Sequence, residues 1–184
     1  KGENKANGCI INTLSQITAN PLQVAVTVSK SNYTNDLILQ SGIFNVSLLM
    51  DETPFELFRH FGYSSGRDQD KFPNPYSSEL APNGVPYLTQ HSHGVISGKV
   101  KQSIDCGSHM IHLAEVTHAV ALNNAKTVTY DYYQEHIKPR PQLPKEQKGY
   151  LCQICAYHYE GETLPEDFIC PLCKHGPEAF KKIG

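Results

Sequence analysis

Four of the six cysteines stand in two CxxC pairs near the end of the chain: Cys152 with Cys155, then Cys170 with Cys173, fourteen residues apart. Each CxxC forms a tight turn that points both sulfurs at one ion, and two such turns complete a tetrahedron. A tetrahedral all-thiolate site takes zinc or iron, and the spacing alone does not choose between them. Three disulfides would suit a secreted protein, but this layout reads as metal binding. Cys9 and Cys106 stand apart from the pairs and read as small, partly buried structural thiols. The 35 residues after Gly149 are too few to bury the apolar surface that folding requires, so a metal must supply the missing free energy. Tyr150, Tyr157, Tyr159, Phe168 and Phe180 are expected to form a small dry core beside it.

The rest of the chain must place a partner for such a centre. With 184 residues it lies between one domain and two, and its net charge of −2 gives no broad basic surface for nucleic acid. No apolar run is long enough to span a membrane, and no secretory leader is visible, so the expected location is the cytoplasm. Residues 1–135 read as a β-rich domain. "LQVAVTVS" and "GIFNVSLL" alternate, placing Val24, Val26 and Val28 on one face and Phe44, Val46 and Leu48 on another. "GVISGKVKQSI" and "MIHLAEVTHAVAL" are longer strands joined by "DCGSH". In "TNDLILQSG", Thr34 is the expected N-cap and Gly42 the stop. In "DETPFELFRHFG", Pro54 is expected at the first helical position after Thr53, with Glu56 completing a capping box and Phe55, Phe58 and Phe61 forming the apolar face. Many strands with short helices between them suggest a barrel. Residues 64–87 form a long polar loop, and residues 136–149, with three prolines, read as a semi-stiff linker before a tail over 150–184. His91 and His93 share one face by spacing. The strand histidines, His112 and His118 included, are expected to face solvent rather than hold a second metal.

"LPEDFICPLC" and the following "GPEAF" resemble rubredoxin, the one-iron electron carrier, and the resemblance covers residues 150–181. It implies iron at the four cysteines. Rubredoxins usually place Gly after each CxxC; here Ala156 and Lys174 stand there, and a non-glycine residue at positive φ is disfavoured.

An iron that carries one electron needs a donor, and no P-loop or GxGxxG is present. From about Asn7 to Tyr133 the chain resembles the flavin reductase-like, FMN-binding split barrel. The resemblance is carried by "NGCIINTLSQITANPLQVAVTVSKSNYTNDLI", "FGYSSGRDQDKF" and "DCGSHMIHLAEV", with "TVTYDYYQ" as a closing segment. It implies that Asn12, Thr13, Leu14, Ser15 and Gln16 lie along the flavin ring. It also implies that the turn bearing Ser29, Lys30, Ser31, Asn32 and Thr34 holds the phosphate. Small hydroxyl and amide donors before a helix suit that role, because the helix adds its positive end. Arg67 and Lys71 would add charge on the phosphate side, and Tyr130 would lie near the flavin. His109 matches the family histidine near the nicotinamide, orienting or polarising it. Ser108 stands where Asp is common, Ala114 where Gly is common, and His112 where an aromatic or apolar residue is usual. The family's opening strand precedes "KANG" and would lie upstream of Lys1.

A split barrel joined to a rubredoxin tail resembles the high-molecular-weight rubredoxins. That resemblance implies electron flow from NADH or NADPH through FMN and iron to a flavodiiron protein that reduces nitric oxide or dioxygen. It also implies a homodimer. Two alternatives remain open at the level of sequence. One is a free flavin reductase; the other is a flavin-binding protein with a structural zinc ribbon. No ribose-reading motif separates NADH from NADPH.

Overall fold

The alternating segments form the centre of the structure, a computed structural model that describes residues 6–72, 77–139, 148–173 and 175–183. The chain divides into two units, Lys1–Ile137 and Lys138–Gly184. The expected linker spans that division, and its residues 140–147 lie outside the described residues.

The first unit is built on one antiparallel sheet. Its strands are β1 (Ser15–Ala19), β2 (Leu22–Ser29), β3 (Ile43–Leu49), β6 (Ser92–Asp105) and β7 (His109–Ala121), in the order β1-β2-β7-β6-β3. Strands β6 and β7 are the two long segments foreseen around "DCGSH", and the hairpin they form extends over Gly94–Asp105 and Met110–Ala121. Val24, Val26 and Val28 point inward from β2, as their alternation requires, and pack with Ile38, Phe44 and Ala114. Full burial of such aliphatic side chains contributes about 1.5–3 kcal/mol each.

Helix α1 (Tyr33–Ser41) follows β2. Its N-cap is Asn32, two residues before the expected Thr34, because the chain turns at Ser29 and the Asn32 and Asn35 amides bond back to the Ser29 and Asn32 carbonyls. Gly42 ends the helix as foreseen. Its φ of 70° is a left-handed conformation that glycine adopts without a Cβ clash. Helix α2 (Phe55–Gly62) has Pro54 as its N-cap instead of its first helical residue, and no side chain caps it. Thr53 instead gives its hydroxyl to the His91 carbonyl, so the foreseen capping box is not formed. The buried face of α2 is Leu57, Phe58 and Phe61, with Phe55 only half-buried. The segment read as a long loop contains a hairpin, β4 (Ser78–Leu80) with β5 (Pro86–Leu88). Asn83 turns it by accepting a bond from the Val85 amide and donating to the Phe44 carbonyl and the Asn45 side chain. A short α3 (Tyr130–Tyr132) leads into one wider turn, Tyr133–Ile137.

The second unit is small. Strands β8 (Gly149–Cys152), β9 (His158–Tyr159) and β10 (Phe180–Ile183) pair in the order β10-β8-β9. The foreseen aromatic core is present. Phe168 lies 4.8 Å from Tyr159 and 5.3 Å from Phe180, ring centre to ring centre, and Tyr157 packs against both Phe168 and Phe180. Ala156, directly after the first CxxC, holds a φ of 62°; Lys174 lies outside the described residues.

One strand histidine is placed against expectation. His112 is fully buried, alternating with Met110 and Ala114 on the inner face of β7. Its Nδ1 meets Ser103 Oγ at 2.9 Å and its Nε2 meets Asn35 Oδ1 at 3.1 Å. These two bonds are what allow a polar ring to occupy the core. His93 is half-buried with its Nε2 2.6 Å from Thr127 Oγ1.

Two predictions follow from these positions. Burial holds the His112 imidazole below its ordinary 6.5, so between that pH and the lower folded value the unfolded chain binds the extra proton. The contribution to stability is therefore complete above about pH 6.5 and declines as pH falls through that window. In thermal unfolding of the first unit followed against pH, His112→Gln should flatten the decline just below pH 6.5; an unchanged slope would contradict it. For Ala156, the left-handed backbone disfavours any Cβ, so Ala156→Gly should stabilise the metal-loaded tail by about 1 kcal/mol. Slower amide exchange over β8 would show the gain, and exchange that is unchanged or faster would contradict it.

Candidate functional site

Three segments distant in sequence meet around the turn after β2. Ser29 pairs directly across from His109, the first residue of β7, and the Lys30 amide donates to the Ser108 carbonyl. The Ser29 and Ser31 hydroxyls lie 2.9 Å apart, and the Ser31 amide also donates to Ser29 Oγ at 3.3 Å. Lys30 Nζ is held by Asp105 Oδ2 at 2.8 Å, and this pairing keeps the Asp105 carboxyl below its ordinary range. Arg67 enters from the third segment. Its Nη1 donates to the Ser31 carbonyl at 3.0 Å, its Nη2 meets Asp36 Oδ2 at 2.5 Å, and its guanidinium lies 5.3 Å from the centre of the Tyr33 ring.

Asn7 joins these pieces. Its amide donates to Thr34 Oγ1 at 2.9 Å. A Cβ at residue 66 would meet the Asn7 side-chain amide, so glycine there lets the Arg67 loop approach while Asn7 keeps this position. Cys9 sits beside the same turn, with Thr34 and Asn32 as side-chain partners, and burial pushes its thiol up. The start of α1 receives no side-chain cap from Asn32. Such a helix start, set among hydroxyls and a guanidinium, presents donors and positive potential to an anion.

The other foreseen residues are distributed as follows. Asn12, Thr13 and Leu14 form the approach to the sheet, whereas Ser15 and Gln16 already belong to β1. Thr13 Oγ1 bonds both the carbonyl and the amide of Thr27, which ties this approach to β2. The exposed His109 has its Nδ1 2.9 Å from Ser108 Oγ. Tyr130 is 55% exposed and stands beside Tyr133, which in turn packs on Phe58 and meets the Tyr63 hydroxyl. Lys71 is only 3% exposed, and its Nζ donates to the Gly8 and Phe61 carbonyls at 2.8 Å each. Burial lowers its pKa. Cys106, read as partly buried, is exposed in the β6–β7 turn. The contributions of Asn7 and Gly66 were not foreseen. Their one sequence signal is that Asn7 opens the first segment carrying the resemblance and Gly66 lies inside "SSGRD" of the second.

In the second unit the four cysteine sulfurs lie within 4.8 Å of one another. Cys152 and Cys173 approach to 3.6 Å, and Cys155 and Cys170 to 3.5 Å. A regular tetrahedron with metal–sulfur bonds near 2.3 Å has edges of about 3.8 Å, so the thiols are already gathered at metal-binding separation. Cys152 and Cys170 are fully buried, while Cys155 and Cys173 are partly exposed. Burial pushes the Cys155 and Cys173 thiols up, so a cation must supply the drive to deprotonate them. Backbone N–H groups turn toward sulfur, from Tyr157 to Cys155, from Leu172 and Cys173 to Cys170, and from His175 to Cys173. These bonds favour the thiolate form and tune a bound metal. Among the described residues no other cysteine, histidine or carboxylate group clusters in this way.

The comparisons with known proteins agree with this division. Residues 1–140 match the flavin reductase like domain, and residues 150–181 match the rubrerythrin, rubredoxin-like domain. The chain is 33% identical over 214 residues to a high molecular weight rubredoxin from Moorella thermoacetica, covering 100% of this chain and 92% of the relative. It is 35% identical over 144 residues to a ferric-chelate reductase (NAD(P)H) from Archaeoglobus fulgidus, covering 78% of this chain and 83% of the relative. Among solved structures, the FMN-binding protein from Thermus thermophilus with bound 1-cyclohex-2-enone shares the fold at a TM-score of 0.60 and 23% identity, over 66% of each chain. The rubredoxin-like match resolves the choice that sulfur spacing left open in favour of iron. With a flavin reductase-like sheet domain before a four-cysteine iron domain, the chain belongs to the high-molecular-weight rubredoxins, oxidoreductases that join an FMN-binding split barrel to a rubredoxin.

Proposed function

We propose that the chain takes electrons from NADH or NADPH and passes them by way of FMN and iron to a separate redox protein. The expected acceptor is a flavodiiron reductase of nitric oxide or dioxygen. The observation that carries this reading is the four-sulfur cluster appended to a flavin reductase-like domain in one chain. FMN, when bound, supplies the conversion between a hydride's two electrons and the single electrons that a four-thiolate iron accepts.

The chain's own residues divide the work. The uncapped start of α1, the Ser29 and Ser31 hydroxyls, Asn32 and Thr34 receive the flavin phosphate. Lys30 and Arg67 add positive charge beside it. The missing side-chain cap supports this fit, because first-turn amides otherwise lack a partner. Asn12, Thr13, Leu14, Ser15 and Gln16 would lie along the ring, Tyr130 would lie near it, and His109 would orient or polarise the nicotinamide. Lys71 acts on the phosphate side by fixing the Gly8 and Phe61 carbonyls, leaving one ammonium hydrogen to donate. Cys152, Cys155, Cys170 and Cys173 fill all four positions on the iron, so the reduction of nitric oxide or dioxygen belongs to the partner. The linker over 136–149 keeps the tail at high effective concentration near a flavin. The chain acts as a homodimer in the cytoplasm. No helix among the described residues is long and apolar enough to cross a membrane.

A second reading draws on the ferric-chelate reductase relative: the sheet domain alone reduces small acceptors and the tail is dispensable. One variant separates the two. Cys170→Ser should leave flavin reduction by NADH or NADPH intact and lower turnover with a purified flavodiiron protein at least tenfold. Undiminished flavodiiron turnover would favour the second reading and remove the tail from the path.

A further inference from the structure

We propose that His112 is a positioning residue for flavin phosphate binding, acting through Asn35 on the start of α1. This rests on the proposed placement of the phosphate at the turn Ser29–Thr34.

The hydrogen-bond pattern defines one form of the ring. Asn35 Oδ1 accepts only, so the Nε2 that meets it carries the hydrogen. Nδ1 is then bare and accepts from the Ser103 hydroxyl. The neutral ring satisfies both partners. The ring sits directly between strands, with Val26 opposite on β2 and Ser103 opposite on β6. On the same inner face, Val24 and Val28 flank Val26 on β2 and Ala114 follows on β7, all within the buried apolar cluster that includes Ile38. In such surroundings a made hydrogen bond is strong and an unmade one costly.

Each end of this link reaches the turn. Asn35 is 3% exposed and lies in the first turn of α1, and its own amide bonds the carbonyl of the N-cap Asn32. Asn32 in turn donates to the Ser29 carbonyl. Ser103 stands two residues before Asp105, which holds Lys30, and β7 itself begins at His109, opposite Ser29. One side chain thus connects α1, β6 and β7, the three elements that frame the proposed phosphate site. An apolar residue at 112 could fill the space. It would leave Asn35 Oδ1 unpaired in the core, and the helix start would lose its tie to the hairpin.

The test compares FMN with riboflavin, which lacks the phosphate, binding to deflavinated full-length protein. His112→Phe should weaken FMN about tenfold while riboflavin changes less than twofold. Ser103→Ala, a milder change on a partly exposed strand, should give a smaller loss confined to FMN, and it decides the matter if the first variant does not fold. Equal losses for FMN and riboflavin would assign His112 to packing alone and overturn the proposal, as would unchanged FMN affinity in either folded variant. Ser31→Ala tests the underlying placement separately. If it leaves the ratio of FMN to riboflavin affinity unchanged, the phosphate does not lie at this turn, and the reading beneath the proposal fails.

Discussion

Backbone pairing along β7 is the constraint on which the flavin domain depends. The strand is paired on both sides, to β2 over Gln23–Ser29 and to β6 over Gly94–Asp105. Because strand pairing has a fixed register, the inward row Met110, His112, Ala114 determines which residues sit opposite. A shift of one residue would turn His112 to solvent and move His109 away from Ser29. The turn after β2, the helix that follows and the loop carrying Arg67 are all placed relative to this strand. The weaker contacts there, such as the Arg67–Asp36 pair on the surface, adjust a site that the ladder has already located.

The tail obeys a different constraint. Its aromatic cluster around Phe168 is too small to hold a chain of this length, and its sulfurs are gathered in a setting that resists charge. Metal binding resolves both problems, since thiolate coordination supplies folding free energy and neutralises the buried charge. Ala156 shows the cost of the turn geometry: the backbone adopts a conformation suited to glycine although the sequence does not provide one.

The sequence made some of this plain and hid the rest for physical reasons. The metal ligands were legible because CxxC spacing encodes local geometry, and the long strands because alternation reports burial directly. Gly42 was legible because a left-handed helix stop demands it. Thr34 was a reasonable cap by residue type, but backbone bonds from Asn32 and Asn35 begin the helix earlier. The β4–β5 hairpin was concealed by polar composition, since its pairing is fixed by Asn83 and Asn45 instead of by an apolar face. His112 was expected to face solvent and Lys71 to stand beside the phosphate, and neither residue type foretells burial. Their burial depends on carbonyls and on Asn35 and Ser103, partners that only the folded chain brings near.

The central claim is that two redox groups in one chain form a relay. Anaerobic stopped-flow mixing of the full-length, flavin- and iron-loaded protein with NADH, and separately with NADPH, tests it most directly. Flavin absorbance and iron–thiolate absorbance are followed together. The account predicts that the flavin signal bleaches first and the iron signal follows without an added mediator, at a rate independent of protein concentration. An iron signal that stays oxidised after the flavin is reduced would contradict the relay.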